Sequence, residues 1–297
     1  MKILLISDLH LCDNRNSEAF ELRRMEKLAA FINSCQADLV VNLGDAVSRK
    51  EYLRKEFAGE ADGFDYYLKW RSQFTIPFVE CAVEREFGFF AEKMQQEPDS
   101  WREVSPEISI ITVAPKEDND HRFTPEQLEF METALGSCRT PKILIASHVP
   151  YPGSCSREIA PGIFLEIPER LRQLVEESDR QIYWCGGHFH WPLEEVRQLG
   201  SLTAVYGGRF CFENKDSDGY LRMIDSTTGE VSTVLESFRW GGELLQQRNE
   251  FFVLDAPEHF CHFDQCPGLN SVAPQFGKKL LPSGFGIRGV RNGESGQ

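Results

Sequence analysis

Two imidazoles on alternate residues close the stretch Cys185-Gly186-Gly187-His188-Phe189-His190. Neutral imidazole is the commonest protein donor to a transition metal, and the two preceding glycines let the backbone turn tightly and aim both rings into one crevice. Asp8-Leu9-His10 offers a hard oxygen and a borderline nitrogen at the same alternate spacing, a pair suited to a divalent ion. Gly44-Asp45 leaves a carboxylate uncrowded, placed where it could bridge two ions, and Ser147-His148 adds a further ring. Any one of these turns alone reads as a loop cap or a satisfied histidine. Their company changes the reading, because four of the seven histidines fall in them. Six donors exceed what one tetrahedral ion takes and suit a pair.

Such donors converge only if the elements before them are parallel and buried, and four short apolar runs meet that need. Lys2 to Ser7, Ala37 to Leu43, Lys142 to Ser147 and Gln181 to Trp184 are rich in β-branched and aliphatic or aromatic residues, which predicts buried strands. Each runs into one of the donor turns at its carboxyl end, where α/β sheets place their sites. Asn16 to Cys35 is predicted as the crossover helix between the first two strands, with Phe20, Leu28, Phe31 and Ile32 on one face and Glu21, Arg24 and Lys27 elsewhere.

Further along, residues 49 to 75 read as helical and partly exposed, and Thr75 to Val79 starts a third strand. Ile108 to Val113 is a fourth. Thr124-Pro125-Glu126-Gln127 is a helix start with a capping box, followed by the stripe Leu128, Met131 and Leu135 and an expected end at Gly136. Pro168 to Glu177 forms another helix with Leu171, Leu174 and Val175 inward. Leu202 to Tyr206, Tyr220 to Ile224 and Val231 to Leu235 read as successive antiparallel strands, with a turn at Thr227 to Gly229. Beyond Gly241, glycine and proline accumulate and only Phe251 to Leu254 reads as a strand.

Composition narrows the function. A net charge of −14 argues against a general nucleic-acid binder, since phosphate backbones need lysine and arginine surfaces. The apolar run at the amino terminus is too short for a signal peptide, and no stretch could span a bilayer. Nine cysteines without a framework spacing suggest reduced thiols, hence a cytoplasmic protein.

In this order, D-x-H, G-D, S-H and G-H-x-H resemble the calcineurin-like metallophosphoesterases over roughly residues 1 to 236. The resemblance implies an α/β fold, a four-layer α/β/β/α sandwich of two mixed sheets flanked by helices. It implies a domain over 1–240, while the Gly/Pro-rich composition of 241–297 suits a C-terminal extension that is a lid or partly disordered. It also implies two divalent ions (manganese, iron or zinc) and a small phosphorylated substrate. Asp8, His10 and His190 then resemble ligands of one metal, Asp45 the bridging carboxylate, and His148 and His188 ligands of the second. The implied activity is hydrolysis of phosphate mono- or diesters by a metal-bridging hydroxide.

The family adds a G-N-H-D turn that this chain lacks. Val83-Glu84-Arg85-Glu86 stands there instead, with Glu84 in the place of the asparagine ligand and Arg85 in that of the catalytic histidine. A slip of two residues would make Glu86 or Glu80 the surrogate. Arg85 is a candidate to neutralise phosphate or transition-state charge, but it cannot donate a proton at neutral pH, so esters with good leaving groups should be favoured. A non-catalytic, scaffolding member of the family is the alternative reading.

Two lesser features carry less. His259, Cys261, His262 and Cys266 match no zinc-finger spacing. Tyr151, Phe189 and Trp191 read as crevice walls rather than as a base-stacking platform.

Overall fold

The computed structural model describes residues 1–116, 121–152, 166–188, 196–209 and 220–235, all within the unit Met1–Gln246. Its elements run in the order β1 (Lys2–Ile6), α1 (Glu18–Ser34), β2 (Leu39–Asn42), α2 (Glu60–Arg71), β3 (Phe78–Glu80), α3 (Phe87–Met94), β4 (Ser100–Ser105) and β5 (Ile108–Thr112). They continue with α4 (Pro125–Ser137), β6 (Lys142–Ala146), α5 (Glu169–Glu176), β7 (Gln181–Gly186), β8 (Val196–Leu199), β9 (Leu202–Tyr206), β10 (Gly208–Arg209), β11 (Tyr220–Asp225) and β12 (Val231–Leu235). His190, Phe189, Trp191, the expected strand at Phe251 to Leu254, the His259 to Cys266 cluster and the whole 241–297 extension lie outside the described residues.

The strands form two mixed sheets. In the first, β1, β2 and β3 are parallel neighbours, while β11 runs antiparallel to β1, β10 and β12. In the second, β5, β6, β7 and β9 are parallel, with β4 and β8 antiparallel at the two edges. Alternation of side chains builds three cores from these sheets. Leu4, Ile6 and Val40 of the first sheet pack with Phe20, Leu28, Phe64 and Phe90 of its helices. Ile143, Ile145, Ile182 and Trp184 of the second pack with Met131, Leu135, Leu171 and Val175. Between the sheets, Ile3, Leu5, Leu39 and Val41 meet Ile110, Leu144, Tyr183 and Val205. The parallel strands are therefore buried on both faces, which is why they read as continuous apolar runs. This is the four-layer α/β/β/α sandwich.

Local signals explain the element ends. The hydroxyl of Ser17 accepts from the Phe20 amide and starts α1. Thr124 and Gln127 exchange reciprocal bonds of 3.2 and 3.1 Å, the capping box expected before α4. Several sequence expectations need correction. Leu202–Tyr206 is not an antiparallel partner of β11: it adds to the second sheet, parallel to β7. Gly136 lies inside α4 rather than ending it. Leu174 is 41% exposed, because Leu171 and Val175, one turn apart, take the inner face of a short helix. Glu21 and Arg24, placed away from the apolar face in the sequence, are themselves buried. The Glu21 carboxylate accepts from the Cys12 amide at 2.6 Å and pairs with Arg54 at 3.0 Å, pinning the loop after β1 to α1.

A second buried carboxylate holds β2, β3 and α2 together. Glu80 accepts from Tyr67 Oη at 2.8 Å and Asn42 Nδ2 at 2.8 Å, and pairs with Arg71 Nε at 3.2 Å. Burial pushes its carboxyl upward, with Arg71, Tyr67 and Asn42 opposing. Its oxygens are committed within the wall of the fold. Removing one partner of such a buried set leaves the other under-satisfied. Tyr67→Phe is expected to lower unfolding free energy in urea by about 1–3 kcal/mol, and an unchanged midpoint and slope would show that the set contributes nothing.

Candidate metal centre

The residues after β1, β2, β6 and β7 converge, as parallel strands of two facing sheets allow. Asp8, His10, Asp45 and His148 are all buried, and Asp8, Asp45 and His148 bring ligand atoms within 4.8 Å of one another. His10 Nε2 lies 3.2 Å from Asp45 Oδ2 and 3.9 Å from Asp8 Oδ1. His148 Nε2 lies 3.5 Å from the same Asp45 oxygen and 4.0 Å from the same Asp8 oxygen. His188 Nδ1 is 3.1 Å from His148 Nε2, their rings edge-to-face with centroids 4.9 Å apart. His190, the remaining imidazole of the set, is outside the described residues.

Backbone conformation at these turns is costly. Asp8, His10, Asp45 and His188 have φ of 54°, 45°, 52° and 78°, the left-handed region that non-glycine residues seldom enter. Each such residue costs roughly 1–3 kcal/mol and persists where neighbours over-determine it. Here the neighbours are the extended ladders: Asp8 N to Gly44 O at 3.1 Å, His10 N to Asp45 O at 2.9 Å, and Gly187 N to His148 O at 2.9 Å. Between the sheets, the His188 amide donates to both oxygens of Asp8 at 3.1 Å, and Ser7 Oγ adds a bond of 2.5 Å.

The donor set fits a divalent cation on its chemistry. His148 Nδ1 is 3.0 Å from the Leu43 carbonyl, which can only accept, so Nδ1 carries the hydrogen. Nε2 therefore presents its lone pair toward two carboxylates and a second imidazole. Electron pairs converge on a space that a positive charge stabilises, and a carbonyl behind the ring is the usual orienting partner of a metal-bound histidine. Burial alone would raise the Asp45 carboxyl, but Arg85 above all holds it well below the ordinary carboxylate range. Asp45 is anionic.

Glu84–Glu86 form a 3₁₀ turn with Val83 at its N-cap. Glu86 is buried and accepts from the Val83 amide at 3.1 Å. Glu84 is half-buried at the start of the turn and is not in the group formed by Asp8, Asp45 and His148. Arg85 reaches the site instead, donating from Nη2 to Asp45 Oδ1 at 2.5 Å and to the Val47 carbonyl at 3.0 Å. His121 was not singled out in the sequence. Its ring stands edge-on to that of His188, centroids 5.1 Å apart, and its φ is 41°. It belongs to none of the donor turns read from the sequence, so only the fold reveals its proximity. Tyr151 is wholly buried, donating to Glu176 at 2.7 Å and packing on Trp184, so it belongs to the second core rather than the crevice wall.

No family model and no curated protein matches the sequence. Among solved structures, the chain is similar to a dimetal phosphatase from Danio rerio, with a TM-score of 0.55 and 12% identity over 80% of this chain and 99% of that one. It also aligns with a 5'-nucleotidase precursor from Thermus thermophilus (TM-score 0.43, 14% identity, 84% of this chain and 58% of that one). A third alignment is with the phosphoesterase YfcE from E. coli (TM-score 0.38, 12% identity, 80% and 100%). The first of these carries the comparison: the chain shares the fold of that dimetal phosphatase.

One position tests whether close approach holds the centre together. A Cβ on Gly187 would overlap the Ser7 hydroxyl and stand 2.6 Å from Asp8 Oδ2. Gly187→Ala is expected to weaken binding of Mn²⁺ by at least about tenfold, on the scale of lost orienting contacts, as read by calorimetric titration. Equal affinity in the two proteins would show that Asp8 needs no such fit.

Proposed function

We propose that this protein is a metal-dependent phosphoric ester hydrolase acting on small phosphorylated substrates. The observation that carries the reading is the convergence of Asp8, His10, Asp45 and His148, with the His148 tautomer set to present Nε2 inward. The similarity to a dimetal phosphatase supports it, as does the order of the motifs. The resemblance assigns two ions. Asp8 and His10, with His190, would hold one; His148 and His188 would hold the other; Asp45 would be shared. In support, Asp45 Oδ2 lies between the two imidazoles His10 and His148, at 3.2 and 3.5 Å. Glu84 is the proposed oxygen donor in place of the family's asparagine. Divalent ions there supply Lewis-acid charge for phosphoryl oxygens and lower the pKa of a bound water.

The chain's own residues do the rest. Leu43 O and the His188 amide keep His148 and Asp8 oriented, so the donors need little rearrangement to bind. Arg85 places a fixed positive charge beside carboxylates that would otherwise repel an anionic ester. It holds no proton to give a leaving group. A cytoplasmic setting is proposed on the nine cysteines without a framework spacing. No described helix is long and apolar enough to cross a membrane.

Hydrolysis of an aryl phosphate mono- or diester is expected with added Mn²⁺ or Zn²⁺, and is expected to stop on chelation and recover on re-addition of metal. His148→Ala should reduce it on the order of a hundredfold or more. Alkyl esters should react at least about a hundredfold more slowly than aryl esters, the smallest usual contribution of a general acid. Activity that survives chelation would sink the assignment, and the scaffolding alternative is favoured if no ester is cleaved at all. Equal rates for alkyl and aryl esters would show that a proton donor is present.

A further inference from the structure

The Asp45 carboxylate is divided between two kinds of partner. Its Oδ2 faces inward, toward His10 Nε2 and His148 Nε2, while its Oδ1 is taken by Arg85 Nη2 at 2.5 Å. The guanidinium is not a loose surface group. Its side chain is 16% exposed, Nη2 also donates to the Val47 carbonyl at 3.0 Å, and Nε lies 3.8 Å from Glu60 Oε1. Glu60 is in turn held by the Lys50 amide at 2.8 Å. Asp45 is 5% exposed, so little water screens these charges from one another.

From this arrangement we infer that Arg85 is a resident cation that sets the affinity of the centre for divalent ions, holding Asp45 in place and opposing every ion that shares its carboxylate. The inference rests on the metal-dependent reading above. The physical grounds are simple. A guanidinium and a dication bound through opposite oxygens of one buried carboxylate repel each other, and both draw on the same negative charge. Arginine does not deprotonate in proteins, so this opposition is permanent rather than switched by pH. Meanwhile the ion pair keeps Asp45 charged and oriented without a metal. Such a centre is ready-made but binds its ions less tightly than its donors alone would, and exchanges them readily. Arg85 thus acts through Asp45 as a positioning and affinity-setting residue.

The test is titration of the metal-stripped full chain with Mn²⁺ by calorimetry, with metal content of the loaded protein counted by mass spectrometry. Arg85→Gln removes the charge and keeps a polar side chain; it is expected to bind Mn²⁺ at least about tenfold more tightly than the parent. Arg85→Lys keeps the charge and should stay close to the parent. Weaker or equal binding by Arg85→Gln would overturn the inference, since a mere prop would give that result. If Arg85→Gln does not fold, as judged by circular dichroism, Glu60→Gln serves instead. It removes the anion that partly offsets the guanidinium, so Mn²⁺ binding should weaken, and unchanged or tighter binding would overturn the inference. Should the parent and both Arg85 variants all take up no Mn²⁺, the metal-dependent reading itself fails, an outcome distinct from binding without the expected order.

Discussion

A single bond does two jobs that the rest of the centre depends on: the Nδ1–H of His148 donates to the carbonyl of Leu43 across 3.0 Å. It ties the loop after β6, in one sheet, to the loop after β2, in the other. It also decides which nitrogen of the imidazole carries the hydrogen. With Nδ1 spent on a group that can only accept, the Nε2 of the neutral ring faces Asp8, Asp45 and His188 as a donor of electrons. The mirror-image tie, from the His188 amide to Asp8, closes the opposite corner. Neither tie is part of a sheet ladder, so the candidate ligands themselves help to join the two sheets at this end.

Holding the ligands this way works against backbone preference. Four of them occupy left-handed conformations, and the glycines beside them admit approaches that a side chain would block: a Cβ on Gly44 would stand 2.9 Å from Val83 and 3.0 Å from His148 Nδ1. Strain of this kind survives only where ladders and cores on either side are strong. Here the three apolar layers supply that support. The charges follow the same logic: Asp45 tolerates burial because the Arg85 guanidinium pairs with it.

Much of this was legible in the chain, for physical reasons. Strands buried on both faces must be almost wholly apolar, so β1, β2, β6 and β7 stand out against polar turns, and the donor residues at their tips are conspicuous. Capping chemistry is local, so Thr124 and Gln127 announced α4. What escaped depends on contacts between distant residues. Nothing in Leu202–Tyr206 says which sheet it joins. Glu21 and Arg24 look solvated by type, and only the partners Cys12 and Arg54 show why Glu21 is buried. Glu80 and Glu86 could each be proposed as ligands from their place in the chain, whereas their bonds to Tyr67, Asn42 and Val83 depend on the fold. Arg85 was expected to face a substrate, and its engagement with Asp45 is a tertiary fact. His121 belongs to no motif and reaches His188 only through the folding of the chain between them.

The layer between the sheets has a consequence of its own. Asp8 and Asp45 are carried by one sheet and His148 and His188 by the other, so the gap across which these donors face each other is gauged by the thickness of side chains such as Leu5, Val41, Leu144 and Val205. Close-packed interiors transmit a change of even one methylene. Residues with no chemistry, buried well beneath the crevice, would then calibrate which ionic radius the site accepts. Drift in metal preference could arise there without any ligand being altered.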